Sequence, residues 1–178
     1  VYGVAWNGTL WVAVGAGTNT IAYSFNGINW VGIGTSIFSS QGYGIAWNGQ
    51  IWVATGSGTN TVATSPDGIT WTGRGSGVLN SGTGVAWNGV LWVATALGGT
   101  NAIATSPDGI TWTGRTGGTI FGFASGFSVT WNGSLWVAIG QYNNTLATSP
   151  DGINWTGRGQ TVITSRGFGI ASRRVLPY

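Results

Sequence analysis

Apolar and polar residues fall in short runs that return at a near-constant interval. The run Gly3-Val4-Ala5-Trp6-Asn7-Gly8 reappears at 44–49 and 84–89 and, as Ser-Val-Thr-Trp-Asn-Gly, at 128–133. Each is followed by an apolar run with Trp second: Leu10-Trp11-Val12-Ala13, Ile51-Trp52-Val53-Ala54, Leu91-Trp92-Val93-Ala94 and Leu135-Trp136-Val137-Ala138. A third motif closes each unit. It reads Ser24-Phe25-Asn26-Gly27-Ile28-Asn29-Trp30 in the first copy, and Ser-Pro-Asp-Gly-Ile-Thr/Asn-Trp at 65–71, 106–112 and 149–155. The chain therefore divides into repeats 1–43, 44–83, 84–125 and 126–166 of one domain, and 167–178 reads as a fifth copy cut short.

Each repeat predicts four short strands, A to D, exemplified by 3–6, 9–14, 61–65 and 69–73. Asn7-Gly8 favours a two-residue type I′ hairpin, which would set Trp6 opposite Thr9, Ala5 opposite Leu10 and Val4 opposite Trp11. One face then carries Val4, Trp6 and Trp11, the other Ala5, Leu10 and Val12. Both faces are apolar, so each sheet has to be covered on both sides. Pro66-Asp67-Gly68 supplies the turn between C and D, with Pro presetting φ and Gly accepting the left-handed position. No stretch has a 3.6-residue apolar period, so the fold class expected is all-β.

Stacked four-stranded antiparallel units of about 40 residues describe the blades of a β-propeller. A solenoid of the same units would need capped ends, and neither terminus reads as a cap. Four full repeats plus the first two strands of another favour five blade positions, the last thin. The alternative is a four-bladed ring with the final hairpin outside it. In the five-position arrangement Val175, Leu176, Pro177 and Tyr178 form an open edge strand through which another protein chain could pair.

The motif Ser65-Pro66-Asp67-Gly68-Ile69-Thr70-Trp71 and its copies resemble the Asp box (BNR repeat) of sialidase-like β-propellers, in a compact form with Gly directly after Asp. The likeness spans the whole chain. The first copy departs from it, with Phe25 and Asn26 in place of Pro and Asp. The resemblance implies a structural box at Ser65, Asp67, Gly68 and Trp71, at Ser106, Asp108, Gly109 and Trp112, and at Ser149, Asp151, Gly152 and Trp155. It places that box in the C–D turn, away from the ligand-binding face. It does not extend to sialidase catalysis, which needs acidic partners this chain lacks.

Composition narrows the chemistry. The charged residues are six Arg and three Asp, and His and Cys are absent, as are Lys, Glu and Met. Catalysis by His, Cys or a Glu pair is excluded, as are disulfides and the usual His/Cys metal sites. No metal and no cofactor are expected, nor an enzyme. Six Arg make no basic stripe, so nucleic acid is not an expected partner. No apolar run reaches the ~18 residues of a membrane helix.

Three groups remain as candidate binding residues. Arg74, Arg115 and Arg158 each end a Trp-Thr-Gly-Arg stretch and would form a rim, either solubilising it or binding an anion or acidic sugar. Asn19, Asn60, Asn101 and Asn144 close the B–C loops. The 12 Trp fall three per repeat. Packing between blades accounts for them, while Trp6, Trp47, Trp87 and Trp131, beside the hairpin turns, are the ones open to stacking on a sugar ring. The D–A loops each carry apolar residues, among them Phe38, Leu79, Phe121, Phe123 and Ile163, which would either plug the channel or tuck between blades. The sequons at Asn7, Asn132, Asn143 and Asn154 are weak, since two of them sit in tight turns. The expected function is a non-enzymatic binding or assembly module on a cell, secreted or virus-particle surface; the alternative is a lectin using rim Arg, Trp and Asn.

Overall fold

The computed structural model describes residues 1–115, 120–122 and 125–171. Among them the first sheet contains β1 (Gly3–Trp6), β2 (Trp11–Val14), β3 (Ile21–Ser24) and β4 (Val31–Gly32). The second contains β5 (Gln41–Trp47), β6 (Trp52–Ser57), β7 (Val62–Ser65) and β8 (Thr72–Gly73). The third contains β9 (Ser81–Trp87), β10 (Trp92–Leu97), β11 (Ile103–Ser106) and β12 (Thr113–Arg115). The fourth contains β13 (Gly126–Trp131), β14 (Trp136–Gly140), β15 (Leu146–Ser149) and β16 (Thr156–Gly157). Every sheet is an antiparallel meander in chain order.

The first strand of each sheet is innermost, and β1, β5, β9 and β13 pack in succession. Glycine permits that approach. A Cβ on Gly44 would lie 2.9 Å from the Gly84 Cα, and one on Gly84 3.0 Å from the Ser128 Cα. No larger residue fits at that crowding without moving the strands.

The A–B hairpin differs from the two-residue turn expected. Trp6 pairs with Trp11, Ala5 with Val12 and Val4 with Ala13, so the loop is four residues long. The Asn7 side chain is the reason. Its Oδ1 accepts the N–H groups of Thr9 (2.9 Å) and Leu10 (2.7 Å), closing an Asx turn instead of a type I′ turn. Only Gly8 takes a positive φ, 106°. A register shift of two leaves every side chain on its expected face, because the strand period is two.

The C–D turns are closed by the box residues. In the second sheet Ser65 Oγ donates to Asp67 Oδ1 (2.9 Å) and accepts from the Gly68 N–H (2.8 Å). Asp67 Oδ1 also accepts from Ile69 N–H (2.8 Å) and Thr70 N–H (2.7 Å), and the Trp71 indole donates to Gly68 O (3.1 Å). The same bonds recur at 106–112 and 149–155. In the first sheet Asn26 Oδ1 takes the aspartate's place, accepting from Ile28 and Asn29 N–H at 2.9 Å each. The carboxylate's geometry, not its charge, is what this turn requires.

Sheets join through one repeated contact. The box glycine of a sheet lies over the strand-B Leu/Ile and Val of the sheet before it. A Cβ on Gly68 would meet Leu10 Cδ2 at 2.6 Å and Val12 Cγ2 at 3.0 Å; Gly109 faces Ile51 and Val53, and Gly152 faces Leu91 and Val93, in the same way. Trp52, Trp92 and Trp136 are fully buried at these junctions. Of the D–A loop residues, Phe38, Leu79 and Phe121 are buried in the core at the junctions, whereas Ile163 of the fourth loop is exposed. Phe123 lies outside the described residues.

Four blades are present among the described residues, so the favoured count of five gives way to the four-bladed alternative. The fifth unit contributes no sheet among the described residues. Its Arg166 bridges Gln141, and the Gly167 N–H donates to Gly140 O (3.2 Å). That repeats how Gln41 bridges Ala16 and Gly42 bonds Gly15 O (2.8 Å) at the start of the second blade. The segment thus rests on the fourth blade as an inner strand would. The expected edge strand at 175–178 lies outside the described residues.

Candidate binding site

The inner-strand ends of the second, third and fourth blades, with the A–B turns of the third and fourth, surround a funnel of about 520 Å³. Trp47, Trp87 and Trp131 line it, one from the end of each inner strand, with Val85, Val129 and the turn residues Asn88 and Asn132. Each indole stacks obliquely on the buried Trp directly across the hairpin: Trp47 on Trp52 (5.1 Å between centroids), Trp87 on Trp92 (5.0 Å) and Trp131 on Trp136 (5.2 Å). The four-residue turn is what makes these pairs, since it sets the two Trp of a hairpin opposite one another. Half-buried rings fixed this way present apolar surface without having to be ordered on binding.

Asn88 Oδ1 is occupied by the N–H groups of Val90 (2.8 Å) and Leu91 (2.7 Å), and Asn132 Oδ1 by those of Ser134 and Leu135. Their Nδ2 groups remain as donors at the funnel wall. No ionisable side chain lines the funnel among the described residues. Trp6, the first-blade equivalent, stacks on Trp11 (4.9 Å) but lies outside the funnel.

The other expected site residues stand elsewhere. Arg74, Arg115 and Arg158 end the outermost strands, far out on each blade. Their guanidinium groups fold back onto a strand-C hydroxyl: Arg74 Nε on Thr64 Oγ1 (2.9 Å), Arg115 Nε on Thr105 Oγ1 (2.9 Å) and Arg158 Nε on Thr148 Oγ1 (2.8 Å). The loop asparagines tie loops together. Asn60 Oδ1 accepts from Gly75 N–H (2.9 Å) while its Nδ2 donates to Ile37 O (2.8 Å), and Asn144 bonds Gly159 N–H and Ile120 O likewise. Asn19 accepts from Gly34 N–H (2.7 Å), and Asn101 donates to Val78 O (3.1 Å).

All three carboxylates are committed to box turns. Burial works against the Asp67 anion, but the N–H groups of Thr70 and Ile69 outweigh it and hold the group below the usual carboxylate range. The Thr111 N–H is the main cause for Asp108. For Asp151 it is the Asn154 N–H, helped by the Asn154 amide donating to Oδ2 (2.7 Å). In a meander the A–B and C–D turns share one end, so the boxes lie at the funnel end of the molecule. The resemblance placed the ligand face at the opposite end.

That opposite end holds residues the sequence reading did not single out. Tyr2, Tyr43, Thr83, Phe127 and Phe168 occupy the same place in five successive units and surround a second cavity of about 310 Å³. Tyr2 lies against Tyr43 (5.3 Å), Phe127 against Phe168 (5.4 Å), and Arg166 stands over the Phe168 ring (5.3 Å). Tyr43, Thr83 and Phe127 fall where the A–B register slips, a bulge that turns one side chain toward the axis. The recurrence of an aromatic just before the inner-strand Gly or Ser was the available signal.

No protein-family model matches the sequence, and no curated protein does. Solved structures do match in shape. YCF48 from Cyanidioschyzon merolae aligns with a TM-score of 0.62 and 16% identity, over 96% of this chain and 58% of that one. The chain is a β-propeller. The Niastella koreensis GH74 enzyme aligns with a TM-score of 0.58 and 18% identity over 87% of this propeller, which spans only 24% of that chain. A chain of a nidogen/laminin complex aligns with a TM-score of 0.55 and 14% identity, over 94% of this chain and 82% of its own. At these identities the likeness shows the fold alone.

Proposed function

We propose that this propeller is a non-enzymatic binding module whose ligand seat is the tryptophan funnel, and that it takes an uncharged ligand with a flat apolar face, a neutral sugar ring being the class that fits. The observation that carries this reading is the lining itself. Three oblique indoles from successive blades and two amide donors surround about 520 Å³, with no ionisable group among the described lining residues. Ring stacking plus a few hydrogen-bond donors is how such pockets select neutral amphipathic ligands. The carboxylates that hydrolysis would use are held as anions inside turns. That a chain of similar shape belongs to a nidogen/laminin complex supports a binding role in general. A thiol-free chain fits display on a cell, secreted or particle surface.

A neutral-glycan array followed by intrinsic tryptophan fluorescence titration tests the reading. A binder should shift the emission, Trp87→Ala should abolish the shift while the protein stays folded, and raising salt should leave the affinity unchanged. Binding that survives Trp87→Ala but disappears in the triple change of Arg74, Arg115 and Arg158 to Gln would move the site to the rim and the ligand to an anion.

A further inference from the structure

Five Asn-Gly pairs punctuate the chain. Asn7-Gly8, Asn48-Gly49, Asn88-Gly89 and Asn132-Gly133 form the A–B turns, and Asn26-Gly27 stands in the C–D turn of the first blade. Such a pair can react with itself. The glycine backbone nitrogen attacks the asparagine Cγ and gives up its proton to hydroxide; the Cγ–Nδ2 bond breaks and ammonia leaves. Water then opens the resulting five-membered imide at either carbonyl, giving aspartate or isoaspartate. The reaction needs a polarised Cγ, a nitrogen free to move, and no side chain crowding it.

The A–B turns supply all three. Asn88 Oδ1 accepts from the N–H groups of Val90 (2.8 Å) and Leu91 (2.7 Å), and Asn132 Oδ1 from those of Ser134 (2.9 Å) and Leu135 (2.8 Å). Asn7 and Asn48 are held alike. Negative charge collects on that oxygen as the nitrogen adds, so the paired N–H groups are oxyanion donors already in place. The N–H groups of Gly8, Gly49, Gly89 and Gly133 make no hydrogen bond among the described residues. A Cβ at any of these glycines would meet nothing within 4 Å.

Asn26-Gly27 is an internal control. Both residues are exposed, and Asn26 Oδ1 has its two donors as well, Ile28 and Asn29 N–H at 2.9 Å each. The difference lies in the nucleophile. Gly27 N–H donates to Ser24 Oγ (2.9 Å), a bond that has to break before the nitrogen can swing toward Cγ. The Asp-Gly pairs of the other boxes, open to the same ring closure, are restrained in the same way. There Gly68, Gly109 and Gly152 N–H each donate to the box serine at 2.8 Å.

We infer that the A–B asparagines are sites of self-promoted deamidation, and that the box serine shields Asn26 from the same reaction. Asn88 and Asn132 line the funnel, so their conversion replaces two amide donors with two carboxylates in a wall that otherwise has no ionisable group among the described residues. Its effect on a ligand rests on the funnel being the ligand seat; the conversion itself does not.

Ageing the intact folded chain at mildly alkaline pH, followed by peptide mass mapping and enzymatic methylation of isoaspartate, reads each site separately without any ligand. Asn88 and Asn132 should convert roughly tenfold faster than Asn26, the factor that one net hydrogen bond supplies. In urea the turns are lost, and all five pairs should converge on similar rates. Ser24→Ala should raise Asn26 to the rate of the A–B sites and leave theirs unchanged. Asn26 keeping pace with Asn88 and Asn132 in the folded parent, or folding that slows all five pairs alike, would overturn the proposal.

Discussion

The first and third blades are copies of one repeat in different surroundings, and the contrast separates what a repeat does alone from what its neighbour does. Strand register, the Asx turn and the hydrogen bonds of the box are alike in both. Burial is not. Trp92 is fully enclosed between the second and third blades, whereas Trp11 is half-open and Trp30 and Val31 face solvent. Local chemistry sets the blade's shape, and stacking gives it most of its core.

The sharpest way to break this comparison is to truncate the matched indoles. Trp92→Ala should cost ~3–5 kcal/mol by urea denaturation, as a fully buried aromatic does, and Trp11→Ala about 1–2 kcal/mol, in proportion to its smaller burial. Equal losses would mean that stacking contributes little.

The box glycines give the next largest difference. Gly27 and Gly109 have φ of 74° and 77°, so Ala at either pays the left-handed penalty of roughly 1–2 kcal/mol. At Gly109 the new Cβ would also lie 2.8 Å from Val53 Cγ2, adding about 1–3 kcal/mol of overpacking. Calorimetry should therefore rank Gly109→Ala well below Gly27→Ala in Tm.

Changing Asp108 to Ala removes the acceptor for two backbone N–H groups and Ser106 Oγ, an expected loss of about 1–3 kcal/mol. Asp108→Asn should cost under ~1 kcal/mol at neutral pH, because Asn26 already fills that role in the first blade. Melting curves of the two variants side by side distinguish geometry from charge.

The smallest effect is the acid response. The folded-state pKa values of Asp67, Asp108 and Asp151 are all lowered, so the unfolded chain takes up protons first. Their contribution is complete above about pH 4 and is lost as pH falls through the folded values. Tm should fall between pH 4 and pH 2 in the parent and fall less steeply in Asp108→Asn. A parallel fall in both would remove Asp108 from the account.

What could be read from the sequence was whatever is periodic and local. The repeat length, four strands per unit and the box contacts of Asp67, Asp108 and Asp151 follow from residues within one another's reach. The hairpin register was not legible, because Asn7 competes with its own backbone for the turn. Nor was the fate of the rim: nothing in Trp-Thr-Gly-Arg says that Arg74 folds onto Thr64 of the adjacent strand. The funnel was half legible. The four Trp beside the turns stood out, but that Trp47, Trp87 and Trp131 share one funnel is set by how the blades pack.

The box turn satisfies its own polar groups within seven consecutive residues, from Ser65 Oγ to the Trp71 indole. A structure closed so locally can form on the microsecond scale of a hairpin, before any blade has found its neighbour. Assembly then becomes a matter of adding finished parts, and an array of this kind can gain or lose whole repeats without redesigning a single bend.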